Sequence, residues 1–285
     1  MRNFLLVTNS RKDDGVVYAE KIKELLEGNG MHCTGNIFPE EREDLGYMYT
    51  DPSLVPPETE GIITLGGDGT LIRAAKDLIA LKLPIIGINF GTLGYLTEIE
   101  AKEFDKAMVK LKSDDYTIEK RMLLRGEILR GEQVLKSNIA FNDIVLNRTP
   151  PIGVLKYDIN INGQFLNDYS ADGVIISTPT GSTGYNLAAG GPVVQPTAET
   201  ILLTPLCAHC FNSRSIVFSA DVVIEVRANG FKYENQQKML VQFDGDVGIL
   251  LEPGDLIKVR KSGLVSKIIK LNDMSFVEQL GKKMR

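Results

Sequence analysis

The chain has 285 residues, of which 43% are hydrophobic and 24% charged, which is enough to bury a large core in one or two domains. Its formal net charge of -5, with Lys and Arg scattered among Asp and Glu, offers no basic surface for nucleic acid. No apolar run approaches the length of a membrane span, and the N-terminus lacks a signal-peptide layout. We therefore expect a cytoplasmic globular protein that binds neither nucleic acid nor membrane.

The first 115 residues alternate between short apolar strands and helical patterns, as is typical of a parallel sheet with crossover helices. Strands are predicted at residues 4–8, 62–65 and 85–88. The helical pattern that follows the first strand comprises Tyr18, Ile22, Leu25 and Leu26. We expect an open α/β fold in this part of the chain.

A glycine-rich turn follows the second predicted strand. Gly66, Gly67 and Gly69 surround Asp68, and a helix is predicted to follow directly and to end before Pro84. The helical pattern comprises Leu71, Ala74, Ala75, Leu78 and Ile79. Strand, glycine turn and helix together predict phosphate binding, because glycines admit close approach of the backbone and a helix N-terminus favours negative charge.

Asp68 is unexpected in a turn that favours anions. Its carboxylate would repel a phosphate unless it holds a metal ion or takes a proton from an attacking hydroxyl, and both roles belong to phosphoryl transfer. The alternative is an aspartate that only caps the following helix. The turn by itself leaves both hypotheses open.

The chain lacks two common nucleotide-binding motifs. The spacing G-x-x-x-x-G-K-[ST] is absent, and no lysine stands directly after these glycines. The first strand, Phe4 to Asn9, runs into Ser10, Arg11 and Lys12 without a G-x-G-x-x-G fingerprint. A P-loop kinase and an ordinary NAD-dependent oxidoreductase are therefore disfavoured.

From residue 116 onward the pattern is rich in strands. Strands are predicted at residues 122–129, 154–161, 222–226 and 256–259. Asn-Gly, Pro-Gly and Ser-Gly pairs are predicted to form the turns between them. A helical segment is predicted at residues 275–283.

The segment from Thr178 to Ala189 alternates hydroxyls and glycines where a core would need apolar groups. It follows a predicted buried strand, Asp172 to Ser177. Because ligands often bind at strand ends, this segment predicts a site for a polar ligand. A flexible loop rich in Gly, Ser and Thr is the alternative.

Three cysteines, an odd number, argue against a disulfide framework. Cys207 and Cys210 have the spacing of a redox or metal site, but no second pair accompanies them. The stretch from Ile201 to Ala208 fits better as a buried wall in which cysteine serves as a small hydrophobe. We therefore predict no metal centre.

Four separated segments together resemble the NAD kinases, which phosphorylate the 2′-hydroxyl of the adenosine ribose of NAD to make NADP. The segments are Gly66–Thr70, Asn89–Glu98, Asn142–Asp143 and Asp172–Pro192, and they span nearly the whole chain in the order that the family shows. The first segment alone is weakly diagnostic, because diacylglycerol kinases, sphingosine kinases and phosphofructokinases carry similar turns. The fourth is strongly diagnostic.

The resemblance implies that Asp68 is the catalytic base, accepting the proton of the ribose hydroxyl as that hydroxyl attacks the terminal phosphate of ATP. It implies phosphate contacts at Gly66, Gly67, Gly69 and Thr70. It also places Asp68, Gly69 and Arg73 against the substrates. For Arg73, a position facing solvent on the helix is the alternative.

The resemblance also implies a set of residues that bind NAD. These are Asn142, Asp143, Asp172, Thr183, Gly184, Tyr185, Asn186, Leu187 and Ala188. Asp143 stands where the family usually has Glu, and Ala188 stands where Ser is common. A simple turn is the alternative for Asn142 and Asp143, and a core position is the alternative for Tyr185.

The two-domain fold of the family is implied as a whole. It comprises an α/β N-terminal domain with a parallel sheet, residues 1–115, on which residues 270–285 pack back, and a β-rich NAD-binding domain, residues 116–269. The active site is expected in the cleft between them. Mg²⁺ with ATP is the expected divalent cofactor, and the chain is expected to form a homodimer or homotetramer.

Two other functions share part of this pattern. A lipid kinase has the same glycine turn but needs a basic or apolar surface that faces a membrane, and this acidic chain shows neither. A non-catalytic dinucleotide sensor would keep residues 183–188 and lose the proton acceptor. The presence of Asp68 argues against that sensor.

Overall fold

The computed structural model describes residues 1–8, 13–35, 50–89, 94–97, 99–149, 154–209, 213–231, 238–272 and 274–283, with the backbone alone for 13–16. The chain divides into two compact units, Met1–Arg121 with Val265–Arg285 and Met122–Leu264. Each unit has its own hydrophobic core. None of the helices in these ranges combines the length and apolar character that a bilayer-crossing helix requires.

The regular elements are numbered here in chain order. The strands are β1 Asn3–Thr8, β2 His32–Thr34, β3 Gly61–Leu65, β4 Pro84–Asn89, β5 Ile99–Glu100, β6 Thr117–Arg130, β7 Gln133–Ala140, β8 Asp143–Arg148, β9 Leu155–Ile161, β10 Gln164–Ala171, β11 Gly173–Ser177, β12 Thr200–Leu206, β13 Ile216–Ser219, β14 Ile224–Phe231, β15 Met239–Phe243, β16 Ile249–Leu251 and β17 Leu256–Lys270. The α-helices are α1 Asp13–Gly28, α2 Asp68–Asp77, α3 Phe104–Lys112, α4 Tyr185–Ala188 and α5 Phe276–Lys283. Short 3-10 helices cover Pro52–Leu54, Ile79–Leu81, Ala101–Glu103 and Thr180–Thr183.

The first unit is built on a parallel sheet in the order β2, β1, β3, β4, with β5 and the end of β17 also parallel to β4. Leu65 at the end of β3 lies beside Ile88 near the end of β4. Parallel strands point the same way, so the segments that follow β3 and β4 leave the sheet at the same edge. The predicted α/β fold is confirmed.

Helices α1, α2 and α3 of the first unit bury one apolar stripe each. From α1, Ile22 and Leu26 join the core, and Phe104 and Leu111 join it from α3. The predicted helix after the glycine turn is α2, which buries Leu71 and two alanines and ends one residue before Leu78. Apolar residues at helical spacing were therefore a reliable signal in this unit.

The second unit contains two groups of antiparallel strands. One runs β10, β9, β14, β17, and the other runs β13, β12, β11, β8, β15, β16. Alternate residues of both groups share one core, including Ile144, Val174, Tyr157 and Val226. The Tyr157 hydroxyl donates to the Gly173 carbonyl oxygen at 2.8 Å, so even the polar end of that buried ring is satisfied. The predicted β-rich half is confirmed.

The Ser-Gly pair at residues 262 and 263 is not a turn, contrary to prediction. Both residues lie inside β17. The buried positions are 257 and 259 before this point and 262, 266, 268 and 269 from it onward, so the alternation of odd numbers is interrupted here. The Ser262 hydroxyl oxygen accepts the amide of Leu264 at 3.1 Å. The pair therefore marks an irregularity that lets one long strand change faces.

The second unit also contains an ion pair in which the carboxylate is buried and the guanidinium is partly exposed. The Arg130 guanidinium donates from Nε and Nη2 to the two oxygens of Asp255, each at 2.9 Å, and the Glu252 amide donates to the same carboxylate at 2.8 Å. The Asp255 side chain is 2% exposed. The hydrogen bond from Arg130 holds the pKa of Asp255 below its ordinary value. This pair joins the end of β6 to the turn before β17.

We predict that Asp255→Asn lowers the free energy of unfolding by about 2 kcal/mol near neutral pH, because it removes charge-assisted hydrogen bonds inside the protein. A carboxyl whose pKa is depressed by folding stabilises the fold above its unfolded pKa of about 3.9 and loses that contribution as the pH falls. The difference between the two proteins should therefore narrow in acid. Urea unfolding from about pH 7 down to about pH 3 measures it.

Lys102→Met is the matched control, because it removes an ion pair with Glu100 in which the lysine side chain is 75% exposed. Its effect should stay below about 0.5 kcal/mol. An Asp255→Asn effect that is equally small, or that grows in acid, would contradict the role given to the buried pair.

Candidate active site

The glycine turn begins where β3 ends. Gly66 has a φ of 153°, and a Cβ at this position would lie 2.3 Å from the Thr70 hydroxyl oxygen. The Gly66 amide donates to the Ile88 carbonyl oxygen at 2.9 Å, which ties the turn to β4. A side chain is therefore excluded at Gly66 by both its backbone conformation and its neighbour. Thr70, 8% exposed, lies beneath the turn and supports it.

The next residues place a helix N-terminus at the open side of the turn. Gly67 is the N-cap residue of α2, and Asp68 is the first helical residue. A Cβ at Gly67 or Gly69 would meet no atom within 4 Å. The first amides of a helix have no partner within that helix, and they favour an anion. The predicted phosphate-binding arrangement of strand, turn and helix is present.

The Asp68 carboxylate is held by three consecutive backbone amides. Oδ2 accepts the Tyr95 amide at 2.8 Å, and Oδ1 accepts the amides of Leu96 at 3.1 Å and Thr97 at 3.0 Å. Helix capping, the alternative role for Asp68, is not what the side chain does. A carboxylate has about four acceptor positions, so among the described residues one position on Oδ2 is left for a further donor.

Residues 94–97 fit closely around this carboxylate. The Gly94 amide donates to the Thr97 hydroxyl oxygen at 2.8 Å, which closes the segment on itself. A Cβ at Gly94 would lie 1.9 Å from Oδ1 of Asp68. Gly94 is thus required by close approach of the carboxylate rather than by an unusual φ. Arg73, one turn along α2, is partly buried, so its side chain does not simply face solvent.

In the second unit, Asn142 and Asp143 lie beside the hydroxyl-rich segment. The Asn142 carbonyl oxygen accepts the Thr178 amide at 2.8 Å and the Ser177 hydroxyl at 3.1 Å. Asp143 begins β8 and is 6% exposed. Ser177 pairs with Asp143 in the sheet, which fixes this neighbourhood.

Asp244 is a contributor to this site that sequence reasoning missed. Its carboxylate accepts the amides of Phe141 at 2.8 Å, Asn142 at 2.6 Å and Asp143 at 3.1 Å. Its own φ is 54°. The only sequence signal was an Asp-Gly pair directly after the apolar run that became β15, and that pair predicts a turn rather than a partner a hundred residues away.

The hydroxyls of Thr178 and Ser182 make hydrogen bonds to backbone groups of the loop and its neighbours. The Thr178 hydroxyl donates to the Phe141 carbonyl oxygen at 2.8 Å and accepts the Gly181 amide at 3.0 Å. The Ser182 hydroxyl bonds both the amide and the carbonyl oxygen of Val194. Thr178 and Ser182 are fully buried. The loop is therefore an ordered turn built by its own hydroxyls, and not a flexible connection.

Asn186, one of the residues predicted to bind NAD, has a fully buried side chain, 0% exposed. Its Nδ2 donates to the carbonyl oxygens of Ser182 and Pro192, both at 3.1 Å. Its Oδ1 accepts the Thr204 hydroxyl at 2.7 Å. A Cβ on Gly191 would lie 2.2 Å from Oδ1, so the chain folds tightly around this amide. Asn186 ties the loop to β12.

The outward-facing residues of the loop are Gly184, Tyr185, Leu187 and Ala188. Tyr185 is 46% exposed, so the core position considered for its ring is not observed. Thr183 is partly buried, and its hydroxyl donates to the Thr180 carbonyl oxygen at 3.3 Å. These five residues present the face on which a ligand can rest.

Asp172 lies at the other end of β11 from the point where the loop begins, because it precedes the strand and the loop follows it. Its carboxylate accepts a hydrogen bond from Nε of Arg148 at 2.8 Å. The loop returns along the sheet, because Asn186 accepts the Thr204 hydroxyl at 2.7 Å and Thr204 pairs with Ile175, three positions after Asp172.

The expected wall at residues 201–208 is only partly correct. Residues 201–206 of β12 are buried, but Cys207 is exposed and has a φ of 46°. The strand ends before it, so it does not act as a core hydrophobe. Cys210 lies outside the described residues. Within the described ranges, no three His, Cys, Asp or Glu side chains are grouped in a way that could hold a metal ion.

We predict that Asn186→Ala lowers the free energy of unfolding by about 3 kcal/mol, because two carbonyls and one hydroxyl lose their partner inside the protein. Gln195→Ala is the control in the same loop, since its exposed side chain bonds only Thr197, and its effect should be within about 0.5 kcal/mol. Urea unfolding of both variants measures the difference. Equal stability of the two would show that the Asn186 network does not hold the loop.

Comparison with known proteins assigns the family. Residues 16–116 match the family model described as the ATP-NAD kinase N-terminal domain, and residues 141–271 match the ATP-NAD kinase C-terminal domain. A protein named NAD kinase from Lachnospira eligens is 42% identical, with 100% of each chain covered. Another with that name, from Lachnoclostridium phytofermentans, is 39% identical over 99% of each chain.

Solved structures give the same assignment. An NAD kinase from Archaeoglobus fulgidus in complex with ATP superposes with a TM-score of 0.75 at 27% identity, covering 99% of this chain and 98% of that one. Yeast NADH kinase complexed with NADH shares the fold, with a TM-score of 0.81 at 23% identity, covering 100% of this chain and 87% of that one. Two family models and full-length relatives agree, and this chain belongs to the NAD kinase family.

Proposed function

We propose that this chain transfers the terminal phosphate of ATP to the 2′-hydroxyl of the adenosine ribose of NAD, making NADP and ADP, with Asp68 as the general base. Family membership over the whole chain supports the reaction. The observation that carries the role of Asp68 is its carboxylate, which stands at a helix N-terminus and on which the described part of the chain leaves one acceptor position of Oδ2 for a further donor. A lipid kinase is not favoured, because the full-length relatives are named NAD kinases.

The proton transfer follows from this geometry. The ribose hydroxyl donates its hydrogen bond to Oδ2, and the proton passes to that oxygen as the hydroxyl oxygen attacks the phosphate. The amides of residues 95–97 keep the carboxylate from rotating toward solvent. Most catalysis of phosphoryl transfer comes from positioning and electrostatics, so a fixed base is worth more than a mobile one.

The donor phosphates are assigned to the glycine turn. Gly66, Gly67 and Gly69 present backbone without side chains, and the N-terminus of α2 favours their negative charge. Thr70 supports the turn from beneath. The guanidinium of Arg73 is assigned to the same phosphates, as a planar donor that suits them.

The dinucleotide is assigned to the second unit. Asn142 offers an amide donor and acceptor, and Asp143 offers two carboxylate oxygens for ribose hydroxyls and the base. Thr183, Gly184, Tyr185, Leu187 and Ala188 form the face on which the nucleotide rests, with the Tyr185 ring as its aromatic surface. Asp172, whose carboxylate accepts a hydrogen bond from Arg148, is assigned to the same dinucleotide.

Mg²⁺ is assigned as the ion that accompanies ATP. The described residues contain no cluster of three side chains that could hold a metal ion by themselves. The oxygens of ATP phosphates and water are the ligands that Mg²⁺ ordinarily takes beside one or two carboxylates. The ion would neutralise charge between the phosphates, while the chain's own residues position the hydroxyl and accept its proton.

Three further features complete the proposal. The domain division is 1–115 with 270–285 for the α/β part and 116–269 for the β-rich part. The protein works in the cytoplasm in NADP biosynthesis. It assembles as a homodimer or homotetramer, for which β10 and β13, edge strands of the sheets in the described part of the chain, are candidate contact elements.

Asp68→Asn tests the base directly. This variant keeps the shape of the side chain but removes its capacity to accept a proton, so kcat for NADP formation should fall by at least about 100-fold. A coupled assay with NAD, ATP and Mg²⁺ measures it, and NAD binding by calorimetry is the control, because binding should survive. Full activity of Asp68→Asn would contradict the base assignment. If the native protein binds NAD but forms no NADP with any phosphate donor tried, the chain is a non-catalytic dinucleotide sensor.

Gly94→Ala tests whether the position of the carboxylate matters. The added methyl group would overlap Oδ1 of Asp68, so kcat should fall by about 10-fold or more while the protein stays folded. Gly28→Ala is the control, because a Cβ there meets no atom within 4 Å. Circular dichroism and the same coupled assay give the comparison. Equal kcat values for the two variants would show that the close fit around Asp68 is not needed.

A further inference from the structure

Helix α5 contacts the same segment that holds the Asp68 carboxylate. Nε2 of Gln279 donates to the carbonyl oxygens of Gly94 at 3.3 Å and Tyr95 at 3.1 Å. Only the amide nitrogen of a glutamine can face two carbonyl oxygens, so the orientation of this side chain is determined. Nothing in the family match or in the assigned site includes α5, which lies beyond residue 271, where the C-terminal family model ends.

The two contacts act on the peptide units that grip the carboxylate. The Gly94 carbonyl and the Tyr95 amide belong to one rigid planar group, and the Tyr95 carbonyl and the Leu96 amide belong to the next. Gln279 holds the carbonyl end of both planes, and Asp68 is bonded to the amide end of both. A change in the position of Gln279 therefore turns both planes, and with them the carboxylate. Donation to the carbonyls also strengthens the amides as donors.

Helix α5 is otherwise lightly held. None of its residues is fully buried. Its N-terminus is closed by a capping box, in which the Ser275 amide and hydroxyl donate to Glu278 at 2.8 Å and 2.9 Å, and the Glu278 amide donates back to Ser275 at 3.2 Å. At its other end, Nζ of Lys283 lies 5.5 Å from the centre of the Tyr95 ring. A helix with so little burial opens locally at low cost.

We propose that Gln279 is a positioning residue for Asp68, and that docking of α5 on residues 94–95 sets the fraction of molecules whose base is correctly aimed. This proposal rests on the proposed role of Asp68 as the base. In this way α5 controls the rate of phosphoryl transfer. It acts through the two peptide planes that Gln279 bonds, and it does not contact either substrate. Its signature is a loss in kcat with little change in KM, because the residues assigned to ATP and NAD are left in place.

The test uses three substitutions at Gln279 in the full chain. Gln279→Glu keeps the shape but puts an acceptor against two carbonyl oxygens, and Gln279→Ala removes the contact. Both should lower kcat by about 10-fold and leave KM for NAD and ATP within about twofold. Gln279→Lys retains an N–H donor and should recover most of the activity. Val277→Ala, on the exposed side of α5 with a side chain 75% exposed, is the matched control and should match the native protein.

A variant at the N-terminus of α5 tests the contact of Gln279 with residues 94–95 indirectly. Ser275→Ala breaks the capping box without touching residues 94–97, so α5 should fray and kcat should fall in the same direction as in Gln279→Ala. Amide hydrogen exchange at residues 95–97 is the readout that does not depend on activity. It should be faster in Gln279→Ala, Gln279→Glu and Ser275→Ala than in Val277→Ala.

The outcomes separate this proposal from the base assignment. If Asp68→Asn is inactive while Gln279→Ala has native kcat and native exchange, the base stands and the positioning role is overturned. If exchange at residues 95–97 rises but kcat does not change, the helix holds the segment without controlling catalysis, and the proposal fails. If KM rises and kcat does not, α5 acts on substrate binding, which also overturns it.

Discussion

One carboxylate held by three backbone amides is the interaction on which this account depends. Asp68 follows β3, and residues 95–97 follow β4, 27 to 29 positions later in the chain. They meet because β3 and β4 are parallel neighbours whose carboxyl ends lie at one edge of the sheet. The glycine turn supplies the remaining condition, since its missing side chains open the space in front of the helix N-terminus. Sheet topology thus places a fixed carboxylate at the N-terminus of a helix, where a bound anion is favoured.

The second unit uses the same physical device for a different purpose. The Asp244 carboxylate also accepts three consecutive amides, those of residues 141–143, and so shapes the turn that presents Asn142 and Asp143. The difference between the two carboxylates is their setting. Asp68 stands at the start of a helix beside glycines, whereas Asp244 completes the corner between β15 and β8. Three hydrogen bonds from amides therefore do not by themselves distinguish a carboxylate that accepts a proton from one that shapes a turn. The distinction depends on what surrounds the carboxylate.

The polar groups in the most distinctive segment of the sequence are largely used inside the protein. Thr178, Ser182 and Asn186 make their hydrogen bonds to the loop and its neighbours. Each satisfied polar group restricts the residues around it, so the backbone of the loop is held in one arrangement. The side chains of Tyr185 and Leu187 are exposed on that backbone. A polar segment can thus indicate a binding loop while several of its polar side chains serve to build the loop.

The sequence predicted those features that depend on neighbours along the chain. The parallel strands, α2 and the glycine turn follow from apolar spacing and from glycines at a strand end. The features that it did not predict depend on distant partners. They are hydrogen bonds between segments that are far apart in the sequence. Asp68 bonds residues 95–97, Asn186 bonds Thr204, and Asp244 bonds the amide of Asn142. Ser262 and Gly263 were wrongly assigned to a turn, because local composition does not reveal a long strand that changes faces.

The most direct test of the central claim is a pair of ¹⁵N–¹H correlation spectra, one of the native protein and one of Asp68→Asn. A backbone amide bonds more strongly to a carboxylate oxygen than to the neutral side-chain oxygen of an asparagine. The account predicts that the signals of Tyr95, Leu96 and Thr97 shift together between the two spectra, while those of Phe141, Asn142 and Asp143, which bond the carboxylate of Asp244, stay in place. Signals of Tyr95, Leu96 and Thr97 that coincide in the two spectra would contradict it, because the amides would then not be holding the carboxylate of Asp68.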